Sequence, residues 1–504
     1  MANLALPGKQ PGYRWLLIGI ILLAALVRLP TLTRQSLWFD EAVTVAFSLA
    51  DVPTLLRAVL IDGVHPPLFY FVSKVALSLW GLTEFGVRFQ AVVPALLTIP
   101  VIYRLGQAMV NRPVGLLAAL LLALNPLHVW LSQETRMYGL LLLLVTASML
   151  FFWLGLHTNR PRYWLGLFGV NALAFNIHYF SLLLPAIQLA IILSRFRDYV
   201  RPFRWWVVVQ FTASLTFLPW LIALSRREYQ SFGIGSLQRP GLADIPLTLW
   251  NFAGGFSTYL SGPLAVAAAI ILAIALGSGL WRRDRRFRFA QIMLAWWVFL
   301  PVGLVWLVSQ RRSFYADKYL SLVIPGLLLL LALGAIQLKQ SPRWRNLLVA
   351  GLIIASGYGL LSTWSDPAFF RDNWRDLVAY VSQHEQPGDV ILLYTPHIEL
   401  PFNYYYTGQN PHRPISRVLE YLPIEPLTAG QRRAWLIYPY SRHPTHDPKR
   451  PIRPAGGWQE DSGRNPLLVD WLARHADHQL DYRHFRGLEL WLVELDQATI
   501  TSNR

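Results

Sequence analysis

The feature that most constrains this chain is a succession of apolar runs, each close to the ~20 residues an α-helix needs to cross a bilayer. Eleven runs lie at about 15–31, 89–106, 113–131, 137–156, 163–177, 180–194, 205–224, 263–281, 289–309, 319–338 and 346–363. Charged residues make up only 14% of the 504, against roughly 25% in an ordinary soluble domain. The chain therefore reads as a polytopic membrane protein. The absence of cysteine excludes a disulfide framework, a thiolate metal site and a cysteine nucleophile. A net charge of +17 would suit nucleic acid, but residues 1–364 hold 30 Lys and Arg against 11 Asp and Glu, whereas residues 365–504 hold 15 against 17. The basic excess belongs to the apolar part, so no nucleic-acid partner is expected. The first run follows Lys9 and Arg14 as in a signal peptide, but Val27-Arg28-Leu29-Pro30 offers no small-residue cleavage site and ten more runs follow. It reads as an uncleaved first helix.

A further apolar stretch, Leu68 to Leu82, is placed by the positive-inside rule. Left out of the count, one set of connections (1–14, 104–112, 157–162, 195–204, 282–288, 339–345) carries 18 Lys and Arg in 53 residues. The other set (31–88, 132–136, 176–181, 225–262, 310–318) carries 11 in 116. The first set and the N-terminus are then cytoplasmic, and Leu68–Leu82 lies along the interface or re-enters. Residues 1–364 form a membrane module whose first outer loop spans about 32–88. Residues 365–504 form an extracytoplasmic α/β domain. Within it, 374–385 has helical spacing, Asp389–Tyr394 and Ala434–Tyr438 read as buried strands, and 479–495 reads as a hairpin broken at Gly487. The Pro-rich insertion 439–457 reads as loop, where His443 and His446 are better taken as exposed histidines than as metal ligands.

A polytopic chain without a GxGxxG, P-loop or HExxH pattern is a channel, a transporter, an anchor or an enzyme acting on lipid-linked substrates. Transporters keep working charges in mid-membrane, whereas here the charges cluster at the outer ends of helices. Ser36-Leu37-Trp38-Phe39-Asp40-Glu41 follows the first span, with two readings for its carboxylates. Ser36 or Asp40 caps a juxtamembrane helix with Glu41 in its first turn, or a general base is held at the lipid boundary. On the same side lie His65-Pro66-Pro67-Leu68-Phe69-Tyr70, Glu84 with Arg88, the loop Ser132–Tyr138 with Glu134 and Arg136, the turn Asn176-Ile177-His178-Tyr179, and Arg311, Arg312, Lys318 and Tyr319. Carboxylates, histidines and cations on one face describe a site for an anionic, lipid-tethered substrate.

The Asp40-Glu41 pair, the HPPL-FY segment, the QETRMY loop, Asn176–Tyr179 and Lys318-Tyr319 ahead of Pro325 together resemble bacterial GT-C glycosyltransferases of the dolichyl-phosphate-mannose-protein mannosyltransferase-like (PMT-like) superfamily. The resemblance covers roughly residues 15–335. Asn373–Asp376 through Pro387–Val390 looks like the C-terminal extracytoplasmic domain of many bacterial members. It implies a GT-C fold of about 11 transmembrane helices, with juxtamembrane helices in the first outer loop and a cavity open to the outer leaflet. There a sugar leaves a polyprenyl phosphate with inversion. Asp40 matches the acidic catalytic position, and Glu41 would orient it or help bind a metal. Arg136, Lys318 and then Arg311 or Arg88 would neutralise the departing phosphate. Glu134 would be a second acidic group there, with Tyr138 and Tyr319 beside it. His65, His178 and Tyr179 would contact sugar or phosphate. Many relatives carry Arg-Tyr where this chain has Lys318-Tyr319, so a point charge replaces a fork. Metal use varies across the superfamily, leaving open a divalent ion (Mg, Mn, Ca or Zn) on Asp40, Glu41 and Glu134.

The expected function is thus a hexosyl- or pentosyltransferase of a bacterial plasma membrane, acting on the extracytoplasmic face. Its partners are a polyprenyl-phosphate sugar donor, a lipid, glycan or protein acceptor, and the bilayer. The rivals are a lipid-linked sugar or polysaccharide flippase and a non-catalytic scaffold.

Overall fold

The computed structural model describes residues 11–226, 237–255, 263–281, 287–338, 342–366, 369–417, 420–439 and 466–495. The insertion with His443 and His446 lies largely outside them. Among the described residues, seventeen α-helices and two short 3₁₀ helices run from α1 (Pro11–Leu26) to α17 (Pro342–Ser365). Each of the eleven apolar runs falls on one helix or on two or three consecutive helices. Six described helices are by themselves long and apolar enough to cross a bilayer, among them α5 (Glu84–Met109), α8 (Tyr138–Thr158), α11 (Phe196–Ser225) and α14 (Arg288–Ser309). Others are shorter: α9 (Pro161–Phe175) has 15 residues, about 22 Å at the helical rise.

The run 113–131 is not one straight span. It breaks between α6 (Arg112–Leu124) and α7 (Pro126–Ser132) with a bend of 59°. Proline at 126 disfavours helical backbone at Asn125, whose side chain instead accepts from the His128 N–H at 2.9 Å and caps α7. Buried Arg28 stitches the break, donating to the Ala123 carbonyl, the Ser132 hydroxyl and His128 Nδ1.

The segment between α1 and α5 folds into α2 (Phe39–Leu49), α3 (Val52–Asp62) and α4 (Leu68–Trp80). At 13 residues, α4 is about 20 Å long, too short to cross a ~30 Å core. It buries Phe69, Tyr70, Ser73 and Leu77 and exposes Val72, Val75 and Leu79, as an interfacial helix would. Lys74 of α4 donates to the Ser48 and Ala50 carbonyls at the end of α2, tying the two helices together.

Helices α8 to α11, with α10 at Leu183–Leu193, enclose a cycle of neutral polar side chains. Ser148 donates to Asn171, Asn171 to Gln210, Gln210 to Gln188, and Gln188 back to Ser148, while Trp206 also donates to Gln188. Polar groups surrounded by apolar helices must satisfy one another. Gln188→Leu removes three of these bonds, and at roughly 0.6 kcal/mol each, up to about 1.7, it is expected to cost about 2–3 kcal/mol. A lowered thermal midpoint in detergent, with outer-face ligand binding kept, is the check.

Beyond α17, α18 (Trp374–His384) precedes strand β1 (Asp389–Leu393) and helix α19 (Glu399–Tyr405). Then come β2 (His412–Pro414), the pair β3 (Ser416–Arg417) and β4 (Glu420–Tyr421), β5 (Arg433–Pro439), β6 (Gln479–Phe485) and β7 (Leu488–Glu494). The five-stranded sheet has the order β2-β1-β5-β7-β6, with β1 parallel to β2 and β5, and β7 antiparallel to β5 and β6. Its core of Trp374, Leu377, Val390–Leu393, Trp435 and Trp491 is separate from that of the membrane helices. The β6–β7 turn uses Gly487 at φ +77°, left-handed backbone that favours glycine. The two cores meet through a small third one, where Tyr404 and Tyr405 of α19 pack on Leu37, Val45, Leu77 and Val87.

Candidate active site

Asp40 and Glu41 are the second and third residues of α2, and successive helical residues diverge by about 100°. The adjacent carboxylates therefore face different surroundings. Glu41 turns inward and is fully buried. Arg88 clasps it in a fork, Nε to Oε1 at 2.8 Å and Nη2 to Oε2 at 2.7 Å. Arg371 Nη1 adds 2.9 Å to Oε2, and the Thr135 N–H adds 3.0 Å to Oε1. Burial pushes this carboxyl up, but Arg88 and Arg371 outweigh it and hold it down to about 2. The rest of the Arg88 fork caps the carbonyls of Leu32, Gln35 and Ser36. Two expectations are thereby corrected. Glu41 is a buried structural anion rather than a partner of Asp40, and Arg88 has spent its donors inside the protein.

Asp40 points the other way, into the site, with its side chain 21% exposed. Arg136 Nε and Lys318 Nζ each stand 3.8 Å from its Oδ2. These are ion pairs without close hydrogen bonds, open to an incoming anion. Arg136 also donates to the Asp40 carbonyl at 3.3 Å and the Thr44 hydroxyl at 3.4 Å, which positions it along α2. Lys318 lies near the faces of Trp38 and Tyr319. The capping readings for Ser36 and Asp40 do not hold: the Ser36 hydroxyl donates to the Asp372 carbonyl, and Glu41 itself accepts from the Trp38 N–H at 3.4 Å.

Glu134 is buried beside Arg371, whose Nη2 is 3.0 Å from its Oε1. Burial pushes its carboxyl up, and Arg371 and Lys318 pull it back. His65 and His178 face each other with ring centroids 5.0 Å apart, and Tyr138 and Tyr319 lie 5.7 and 6.0 Å from His178. The Tyr179 hydroxyl accepts from Trp220 Nε1 at 3.1 Å and donates to the Gly63 carbonyl at 3.3 Å, bracing the loop that carries His65. Arg311 is exposed on the turn after α14, and no contact joins it to Asp40 among the described residues.

Arg371 is the group that motif reading missed. It lies on the connection between α17 and α18, 330 residues from Glu41, and only tertiary contact reveals it. Its N–H donates to Gln35 Oε1 at 2.8 Å, and the Ser36 hydroxyl accepts from the Trp374 N–H at 3.1 Å. Nearby, Arg375 and Tyr405 both donate to Glu84 at the start of α5. The C-terminal domain thus grips the loop that presents Asp40.

The donor set does not fit a resident metal. Asp40, Glu41 and Glu134 are not gathered into a three-ligand group among the described residues, and the carboxylates of Glu41 and Glu134 face arginine.

Juxtamembrane helices packed on a bundle of apolar helices, with a C-terminal sheet domain, make up the GT-C fold, and here they present a cation-flanked aspartate. The dolichyl-phosphate-mannose-protein mannosyltransferase family model matches residues 64–222. The undecaprenyl phosphate-alpha-4-amino-4-deoxy-L-arabinose arabinosyl transferase 2 of Proteus mirabilis is 30% identical over 165 residues, which are 32% of this chain and 30% of that protein. The match thus spans about a third of the relative's length. ArnT from Cupriavidus metallidurans, solved bound to undecaprenyl phosphate, superposes with a TM-score of 0.60 over 96% of this chain and 98% of its own, at 14% identity. The Archaeoglobus fulgidus oligosaccharyltransferase AglB, solved with an inhibitory peptide and a dolichol-phosphate, gives 0.53 over 84% and 69%, at 10% identity.

Proposed function

We propose that this chain is an integral-membrane inverting glycosyltransferase that moves a hexose or pentose from a polyprenyl phosphate to an acceptor hydroxyl on the extracytoplasmic face of a bacterial plasma membrane. The N-terminus is cytoplasmic and the sheet domain extracytoplasmic. The observation that carries this reading is Asp40 standing partly exposed between Arg136 and Lys318 while Glu41 and Glu134 are locked to Arg371. The donor phosphate takes the two cations, which loosens their hold on Asp40. The Asp40 carboxylate then removes the acceptor hydroxyl proton as that oxygen attacks the anomeric carbon from the face opposite the phosphate. The anomeric carbon–oxygen bond breaks, its electron pair leaves on the phosphate, and Arg136 and Lys318 neutralise the added charge. The four cations Arg88, Arg136, Lys318 and Arg371 exceed the three carboxylates by one, which favours an anionic occupant. A flippase is less favoured, because the mid-membrane polar groups of α8 to α11 are closed on one another.

The test incubates the purified chain in detergent with a panel of undecaprenyl-phosphate monosaccharides and membrane extract as acceptor source, with and without chelator, and follows release of undecaprenyl phosphate. Release that survives chelator is expected. Saturable donor binding without release from any donor would instead favour the flippase. Lys318→Ala is expected to weaken undecaprenyl phosphate binding about 10- to 100-fold, the worth of one charge-assisted bond, and Arg311→Ala to leave it unchanged.

A further inference from the structure

Beside the cations that flank Asp40 lie three buried polar groups that the protein does not satisfy. His65 and His178 are each 2% exposed and Tyr138 is 1% exposed. His178 Nδ1 accepts the Phe180 N–H at 3.2 Å, which puts the proton of the neutral ring on Nε2 as a fixed donor. That Nε2, the Nδ1 of His65 and the Tyr138 hydroxyl have no hydrogen-bond partner among the described residues. Burial, reinforced by Arg136 and Lys318, holds His65 well below its usual range and His178 down to about 3, so both rings are uncharged at neutral pH. Orphaned buried polar atoms are a standing cost, removed when a ligand completes their bonds. The group is continuous with the cations: Tyr138 follows Arg136 by two residues, and Tyr319 follows Lys318 and lies against His178.

We propose that His65, Tyr138 and His178 form the sugar subsite of the lipid-linked donor and bind ring hydroxyls of an uncharged sugar, leaving the phosphate to Arg136 and Lys318. The inference rests on the glycosyltransferase reading. A phosphodiester oxygen only accepts hydrogen bonds, whereas a sugar hydroxyl both donates and accepts. A fixed N–H, a phenolic O–H that does either, and a second imidazole nitrogen match hydroxyls better than phosphate. An ammonium-bearing sugar is disfavoured, because neutral imidazoles and a phenol offer it no counter-charge and the nearby carboxylates are already paired, Asp40 with Arg136 and Lys318 and Glu134 with Arg371. This chain would then differ in sugar from the arabinosyl relative, whose name specifies 4-amino-4-deoxy-L-arabinose.

The test measures affinity of the full chain in detergent for undecaprenyl phosphate, for its glucosyl, mannosyl and arabinosyl esters, and for its 4-amino-4-deoxy-L-arabinosyl ester. At least one neutral ester is expected to bind about tenfold or more tighter than the bare lipid, with the amino ester weaker than that neutral one. His178→Gln and Tyr138→Phe are expected to remove most of the tenfold increment and to leave undecaprenyl phosphate binding unchanged. Tyr138→Phe deletes a single hydroxyl, so it keeps the test valid if His178→Gln unfolds. Equal loss for bare lipid and esters would overturn the subsite by making these residues phosphate ligands. So would an amino ester that binds as tightly as the best neutral one, or no ester that exceeds the bare lipid. Wild type that fails to bind undecaprenyl phosphate at all would instead sink the donor reading itself.

Discussion

Asp40→Asn is expected to slow sugar transfer by about 10²–10⁴-fold, the usual worth of a positioned general base. That range corresponds to roughly 3–5 kcal/mol of barrier. The substitution keeps the side chain's size and removes its charge. Arg136 and Lys318, each now 3.8 Å from Oδ2, lose a competing anion and remain free for the donor phosphate. Donor affinity should therefore hold or rise while turnover falls. The thermal midpoint should barely move, because Asp40 is a partly exposed group whose ion pairs lack short hydrogen bonds. Initial rates of undecaprenyl phosphate release, together with a donor binding isotherm, decide the matter. Turnover at the wild-type level would remove the base assignment, and lost donor binding with normal folding would recast Asp40 as a binding residue.

The neighbouring carboxylate should behave in the opposite way. Glu41→Ala strands Arg88, 2% exposed, and Arg371, 8% exposed, without their shared anion. Breaking a buried pair from one side costs about 3–5 kcal/mol. A large drop in thermal midpoint is expected, of the same order for Arg88→Ala, which also uncaps three carbonyls. The sign with pH follows from the depressed carboxyl, about 2 in the fold against an ordinary 4.5. Its stabilisation is complete above about pH 4.5 and is lost as pH falls towards 2. If Glu41→Ala and Asp40→Asn shifted the midpoint equally, the division of labour between the two carboxylates would be wrong.

How far each residue could be read from the chain depended on how local its environment is. Asp40 stood out in the sequence together with Glu41, as an anomalous pair of carboxylates just past the first apolar span, and only the family resemblance singled it out of the pair. Arg136, Glu134, His65, His178 and Lys318 were legible as outer-end polar groups, and the fold brings them to one place. The separate fates of Asp40 and Glu41 were not legible, since adjacent carboxylates differ only through the phase of α2 against its neighbours. Arg88 and Arg311 looked equally able to meet a phosphate. One is consumed inside by Glu41 and backbone carbonyls, and the other is exposed on the turn after α14. The break at Asn125-Pro126 was written locally but outweighed by the apolar run around it.

The sequence by itself determined the apolar runs of bilayer length, the bias of basic loops and the buried strands of the C-terminal domain, because these follow from side-chain partition into apolar surroundings or water, residue by residue. Only the tertiary structure decided which carboxylate is free and which is locked. It also set which arginines are spent, and brought Arg371 from the connection to the C-terminal domain, 330 residues away, to bridge Glu41 and Glu134. Charges in a desolvated pocket are stabilised by whatever counter-charge the packing brings within about 3–4 Å, and that distance is not a property of the chain order.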